Sequence, residues 1–161
     1  MVVDGSAGDD SLSGAAGNDT LRGFAGRDTL NGGAGDDWLE GGTGIDSLTG
    51  GAGEDSFVFR EAPTNSNFDR LLDFTSGTDT LCFDDAAYGS IGALGDFAAA
   101  DDRFFAGAGA KSGVDAEDRL VYDTSSGFLW YDADGSGAGG QLLVGVVQGA
   151  PALSAGDIAV I

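Results

Sequence analysis

The chain has 161 residues and carries 27 Asp and Glu against 7 Lys and Arg, a formal net charge of −20, which argues against partners built on phosphate backbones or anionic membrane surfaces. It has no histidine and a single cysteine, Cys82, so no intramolecular disulfide can form and zinc and haem sites are disfavoured. Hydrophobic residues make up 42% of the chain, too many for plain disorder, so an ordered fold has to make use of the 30 glycines and the many carboxylates.

The start, Met1-Val2-Val3-Asp4-Gly5, has neither a basic stretch nor an apolar one, so no cleavable N-terminal signal is expected. From Gly5 onward a nine-residue period runs to Val58, with units beginning at Gly5, Gly14, Gly23, Gly32, Gly41 and Gly50. Position 4 is Gly8, Gly17, Gly26, Gly35, Gly44 and Gly53, and position 6 is Asp10, Asp19, Asp28, Asp37, Asp46 and Asp55. Agreement at these positions by chance has a probability of about 10⁻¹⁴ per register, so low complexity does not explain it. Position 2 is Ser6, Ala15 and Phe24 in the first three units and Gly33, Gly42 and Gly51 in the last three, which makes the earlier turns less regular.

Glycines at positions 1 and 4 permit positive φ and close backbone approach, so six residues can fold into a tight turn whose carbonyls converge. The Asp at position 6 adds carboxylate oxygens. Positions 7 to 9 then read as a short strand in which only position 8 points inward: Leu12, Leu21, Leu30, Leu39, Leu48 and Phe57. At outward position 7, Trp38 is read as surface packing, with ligand binding as the alternative; Phe24, at a turn position, is expected to touch a neighbouring segment.

This pattern, as in Gly32-Gly33-Ala34-Gly35-Asp36-Asp37-Trp38-Leu39-Glu40, resembles the RTX (repeats-in-toxin) calcium-binding nonapeptide. The resemblance implies an all-β fold: a parallel β-roll over residues 1–58, followed by a β-rich capping and secretion-signal region over 59–161. If successive strands alternate between two sheets, Asp10, Asp28 and Asp46 stack on one edge, and Asp19, Asp37 and Asp55 on the other. Neighbouring carboxylates about 4.8 Å apart would repel by roughly 3 to 4 kcal/mol at an effective dielectric near 20, so the roll needs a counter-ion. An oxygen shell of carbonyls and carboxylates suits Ca²⁺ better than magnesium. Four sites follow, from the pairs 10/28, 28/46, 19/37 and 37/55, with Gly8, Gly17, Gly26, Gly32, Gly33, Gly35, Gly41, Gly42, Gly44, Gly50, Gly51 and Gly53 as further metal-site residues in the loops.

After Val58 the phase dissolves in Arg60-Glu61-Ala62-Pro63-Thr64-Asn65-Ser66-Asn67, a polar loop. The segment from Asp69 to Phe83 resembles the strand, turn and strand that follow the nonapeptides in RTX proteins exported by type I secretion. Asp73 and Asp79 are candidate ligands of a closing site, Asp73 because it follows Asp55 by two repeat lengths; capping or turn hydrogen bonds are the alternative. Residues 84–105, with Tyr88, Ile91, Leu94, Phe97, Phe104 and Phe105, are expected to form short helical pieces.

Arg119 to Tyr122, Phe128 to Tyr131 and Gln141 to Val147 read as an antiparallel meander that caps the roll. Its last apolar run falls far short of the roughly 18 residues a membrane-spanning helix needs. Asp132-Ala133-Asp134-Gly135-Ser136-Gly137 partly resembles an EF-hand loop, but Leu143 stands at the acidic twelfth position, which favours an Asx-rich turn. The ending Asp157-Ile158-Ala159-Val160-Ile161 resembles a type I secretion terminus and is equally compatible with a last strand.

The absence of histidine and of a phosphate loop followed by Lys argues against catalysis in this chain. The resemblance implies Ca²⁺, about four or more ions, as cofactor. It also implies the type I secretion apparatus and an upstream catalytic passenger domain as partners, and secretion to the extracellular space of a Gram-negative-type bacterium. An adhesive or carbohydrate-binding solenoid, or an accessory module of a secreted hydrolase or epimerase, is the competing reading.

Overall fold

The computed structural model describes residues 1–92, 95–98, 101–135 and 140–161. Among them, fifteen strands follow one another: β1 Val2–Asp4, β2 Ser11–Ala16, β3 Thr20–Gly26, β4 Thr29–Ala34, β5 Trp38–Gly44, β6 Ser47–Ala52, β7 Ser56–Phe59, β8 Asp69–Leu71, β9 Thr80–Phe83, β10 Gly95–Asp96, β11 Phe104–Gly107, β12 Leu120–Asp123, β13 Phe128–Tyr131, β14 Leu142–Val147 and, after a single 3-10 turn at Ala155–Asp157, β15 Ile158–Val160. Among the described residues no helix is long and apolar enough to cross a membrane.

Successive strands of the repeat alternate between two sheets, ordered β1-β3-β5-β7-β9-β15-β10 and β11-β12-β13-β14-β8-β6-β4-β2. Within each sheet the repeat strands are parallel and offset by two repeat units, as in Leu12↔Leu30, Leu21↔Leu39 and Leu30↔Leu48. The strands are longer than positions 7 to 9 alone. They run on into the next unit, so that Ala15 pairs with Gly33 and Phe24 with Gly42. Only position 1 falls between the two paired stretches, where the chain bends.

Position 8 builds the core. Leu21, Leu30, Leu39, Leu48 and Phe57 are 0% exposed, each such burial contributing about 2 kcal/mol, while Leu12 at the N-terminal end is only partly covered. Both sheets continue past Val58, with Leu48 pairing to Leu71 and Phe57 to Leu81. Here aromatic rings replace the leucines: Phe59 stacks on Phe83 at 5.1 Å, Phe83 meets Tyr88 edge-on at 5.1 Å, and Tyr88 meets Tyr131 edge-on at 5.0 Å.

The meander forms as expected, β12, β13 and β14 being antiparallel, and β11 adds a parallel strand outside it. The expected helical pieces over 84–105 do not form among the described residues; Leu94 lies outside them. Gly92 and Gly95 adopt φ of 109° and 117°, a conformation that ends a helix. The chain instead turns through Asp84–Ser90 and lodges Tyr88, Ile91 and Phe97 in the core.

Phe24 pairs through its backbone with Gly42 of the next strand in its sheet. It is 49% exposed, and like Ala15 it is held at positive φ, 75° and 83° respectively, where the later repeats have glycine. The left-handed conformation costs a non-glycine residue about 1 to 2 kcal/mol. Phe24→Gly is therefore expected to leave the fold intact and raise its stability by up to about 1 kcal/mol, after the entropy loss of glycine is counted; denaturant melts would measure it. Trp38 packs, half-buried, on an outer apolar cluster of Val58, Cys82 and Ala159, with the Arg60 guanidinium 5.9 Å above its ring.

Candidate metal centres along the two roll edges

Each position-6 aspartate enters a ladder that runs along one edge of the roll. The backbone N–H of Asp10 donates to Asp28 Oδ1 at 2.8 Å, and that of Asp28 to Asp46 Oδ1 at 2.7 Å. On the other edge Asp19 donates to Asp37 at 2.8 Å and Asp37 to Asp55 at 2.9 Å. The two predicted stacks, 10/28/46 and 19/37/55, are thus both present. A second ladder runs beside them at position 5 in the opposite sense, where Asp36 N–H donates to Asn18 Oδ1 and Glu54 N–H to Asp36 Oδ1, each at 3.0 Å.

The other oxygen of each aspartate distinguishes the first rung from the rest. Asp10 Oδ2 accepts from the Ser6 N–H and hydroxyl at 2.6 and 2.9 Å. In contrast, Oδ2 of Asp19, Asp28, Asp37, Asp46 and Asp55 is buried with no hydrogen-bond partner. A buried acceptor left unmatched costs about 1 to 3 kcal/mol, and more when charged. Two such oxygens on one edge and three on the other, each beside like charges, make a donor set that a cation would satisfy.

The glycines divide into three tasks. Position 1 is glycine for space rather than for φ: a Cβ at Gly32, Gly41 or Gly50 would run into Oδ2 of Asp37, Asp46 or Asp55 in its own unit. At position 2, Gly33, Gly42 and Gly51 take positive φ against the carbonyls of Ala15, Phe24 and Gly33. At position 4, Gly26, Gly35, Gly44 and Gly53 lie against the carbonyls of Gly8, Gly17, Gly26 and Gly35. The result is two columns of closely stacked carbonyl-rich turns. Among the described residues no three acidic side chains converge on one point, so a cation here would be held by two stacked carboxylates and completed by loop carbonyls, a donor set that suits calcium.

Past Val58 the spacing changes. Asp73 does not succeed Asp55 in the stack as the repeat count suggested; its two oxygens accept from Gly50 and Gly51 N–H, each at 2.9 Å. The residue that succeeds Asp55 is Asp79, whose Oδ1 accepts the Asp55 N–H at 3.1 Å. On the other edge the successor of Asp46 is Asp69, whose Oδ1 accepts the Asp46 N–H at 3.1 Å. Sequence reasoning missed Asp69. Its signal is the triplet Asp69-Arg70-Leu71, which repeats the Asp-x-Leu of Asp28-Thr29-Leu30 but follows Asp46 at a separation of 23, outside any fixed period.

Asp132, at the EF-hand-like turn, is fully buried and accepts from Asp134 N–H at 3.3 Å and Gln141 Nε2 at 3.2 Å; Ser136 and Gly137 of that turn lie outside the described residues. Asp157 of the terminal pentapeptide is buried and tied to the loop after β8, accepting from Ser76 Oγ at 2.8 Å and Gly77 N–H at 2.7 Å.

Burial pushes the carboxyls of Asp28, Asp37, Asp46 and Asp79 above their ordinary range, and that of Asp55 up to about 6. A carboxyl that holds its proton more tightly when folded than when unfolded favours the fold at low pH, and this advantage is lost as pH rises from about 4 through about 6. In chelator the metal-free chain should therefore recover at pH 4.5 part of the β-rich signal that it lacks at pH 7.5. With calcium present the order should reverse, because protons then compete with the metal. Circular dichroism at the two pH values measures both.

Residues 4–39 and 32–59 match the family model of the RTX calcium-binding nonapeptide repeat (4 copies). Comparison with curated protein sequences gives no match. Among solved structures, the chain is similar to the AlgE6R3 subunit of the Azotobacter vinelandii mannuronan C5-epimerase, with 29% identity and a TM-score of 0.59 over 96% of this chain and 80% of that one. It is also similar to the AlgE6R2 subunit of the same enzyme, with 29% identity and a TM-score of 0.59 over 98% of this chain and 91% of that one. The family match covers the stacked turns from Asp10 to Asp55: residues 4–59 match RTX calcium-binding nonapeptide repeats and fold as a parallel β-roll.

Proposed function

We propose that the chain is a folding module switched on by calcium, which stays open where calcium is scarce, closes outside the cell, and supports the export and folding of a secreted protein to which it is joined. The observation that carries this reading is the set of five buried carboxylate oxygens without a partner, two on one edge of the roll and three on the other. They make the metal-free roll costly and the calcium-bound roll stable. The pairs 10/28, 28/46, 19/37 and 37/55 hold four ions, and Asp79 on Asp55 supplies a fifth on the second edge. Extracellular calcium modules bind with dissociation constants of about 10⁻⁴ to 10⁻³ M, so such sites stay unfilled in a low-calcium cytosol. Export of the chain through a reconstituted type I transporter tests this. In millimolar outside calcium the exported chain should resist protease, and in chelator it should be digested. Equal resistance in both, or no export at all, would count against it.

A second reading has its own observation. A groove of about 410 Å³ beside β8 and β13 is lined by Arg27, Ile45, Phe68, Arg70, Phe128 and Val146. Two guanidiniums over an apolar floor suit a polymer of acidic sugars, whose carboxylates pair with Arg and whose ring faces pack on aromatic side chains. The similar subunits belong to an enzyme named for mannuronan, a polymer of that class. Calcium-loaded chain should bind mannuronan, and a doubly substituted Arg27→Ala, Arg70→Ala chain should bind it at least tenfold more weakly. Equal binding by both would exclude this groove.

A further inference from the structure

We propose a further calcium site, between Asp46 and Asp69, where the nonapeptide pattern has already ended. It rests on the calcium-array reading above and extends it by one rung. Asp69, Arg70 and Leu71 stand as positions 6, 7 and 8 of a hidden turn: Arg70 pairs with Ser47 and Leu71 with Leu48, and the Asp46 N–H donates to Asp69 Oδ1 at 3.1 Å, as in every rung below.

Two independent observations point to a ligand there. Asp46 is 0% exposed and its Oδ2 has no hydrogen-bond partner. The carboxyl of Asp69, itself only 5% exposed, is held beside Asp46 by the Asp46 N–H. Two buried carboxylates on successive rungs repel unless a cation or a shared proton joins them. This longer turn still gives a closed loop, because Asn67 Oδ1 accepts the Gly44 N–H at 2.6 Å and the Phe68 N–H donates to Gly44 O at 3.2 Å. The loop therefore approaches the turn of residues 41–46 as the nonapeptide turns approach one another, leaving carbonyls of both to complete an oxygen shell.

Asp69→Asn tests the site, since the amide oxygen can still accept from Asp46 N–H while the negative charge is lost. Titration calorimetry of the full chain with calcium should count one ion fewer than in the unsubstituted chain, with the β-rich spectrum kept at saturating calcium. An unchanged count with an intact spectrum overturns the proposal and assigns a shared proton to the pair. If Asp69→Asn does not fold, Asp46→Asn decides: two ions lost supports the site, and one ion lost overturns it. An unsubstituted chain that takes up no calcium would instead refute the array reading itself.

Discussion

Asp28→Asn is expected to remove about two calcium ions and Asp10→Asn about one, when both are counted by calorimetry on the full chain. The difference follows from the ladder. Asp28 receives the Asp10 N–H and donates to Asp46, so it borders the sites on either side of it. Asp10 is the first rung, half-exposed, with Oδ2 already matched by Ser6. With free calcium at ten times each dissociation constant, each site contributes about 1.4 kcal/mol. On the same arithmetic, Asp28→Asn should cost about 3 kcal/mol of calcium-dependent stability and Asp10→Asn about half of that. Equal losses at the two positions would contradict the two-unit stacking on which the sites depend.

Asp157→Ala is expected to destabilise the calcium-loaded protein by about 3 kcal/mol, a large fraction of the stability of a small domain. Asp157 is buried and accepts four hydrogen bonds, from Ser76 Oγ, Gly77 N–H, Ser154 N–H and Ser154 Oγ. It thereby joins the C-terminal strand to the loop that ends in Asp79. That strand lies inside its sheet, parallel to β9 on one side and antiparallel to β10 on the other, with Ile158 and Val160 buried. Removing the carboxylate leaves donors at Gly77 and Ser154 without their acceptor, while Ser76 Oγ keeps the Ala152 carbonyl, and loosens the loop that supports Asp79. Denaturant melts in saturating calcium measure the loss, and a change no larger than the roughly 0.5 kcal/mol of an ordinary surface substitution would refute the latch. The terminal segment, whose sequence resembles an export address, thus has a structural task of its own, and an export assay on this variant has to be set beside its stability.

The repeat was legible because each residue type in it answers to one physical demand at one position. Leucine at position 8 had to fill the interior, and Asp at position 6 had to stand at the end of each turn. The reason for glycine at position 1 was not legible, because it arises from the approach of the Asp carboxylate later in the same unit, which only the folded turn brings about. Asp69 and the true succession from Asp55 to Asp79 were hidden for a different reason. Inserted residues shift the separation between rungs from 18 to 23 and 24, while the sheet pairing continues undisturbed. A fixed period therefore loses the rung that the hydrogen bonds keep. Residues 84–105 misled because their apolar spacing resembles that of helices, whereas among the described residues Gly92 and Gly95 take positive φ and Tyr88, Ile91 and Phe97 enter the core.

On the function proposed above, calcium rather than the apolar core alone closes the roll. Four sites at ten times their dissociation constants contribute about 6 kcal/mol, comparable to the whole stability of a small domain. The leucine column is one residue wide, and five buried carboxylate oxygens oppose its closure. Calcium titration followed by circular dichroism tests this most directly. The chain should lose its β-rich spectrum in excess chelator, regain it cooperatively as calcium is added, and fail to regain it with magnesium at the same concentration. A β-rich spectrum that persists unchanged in excess chelator would contradict the account.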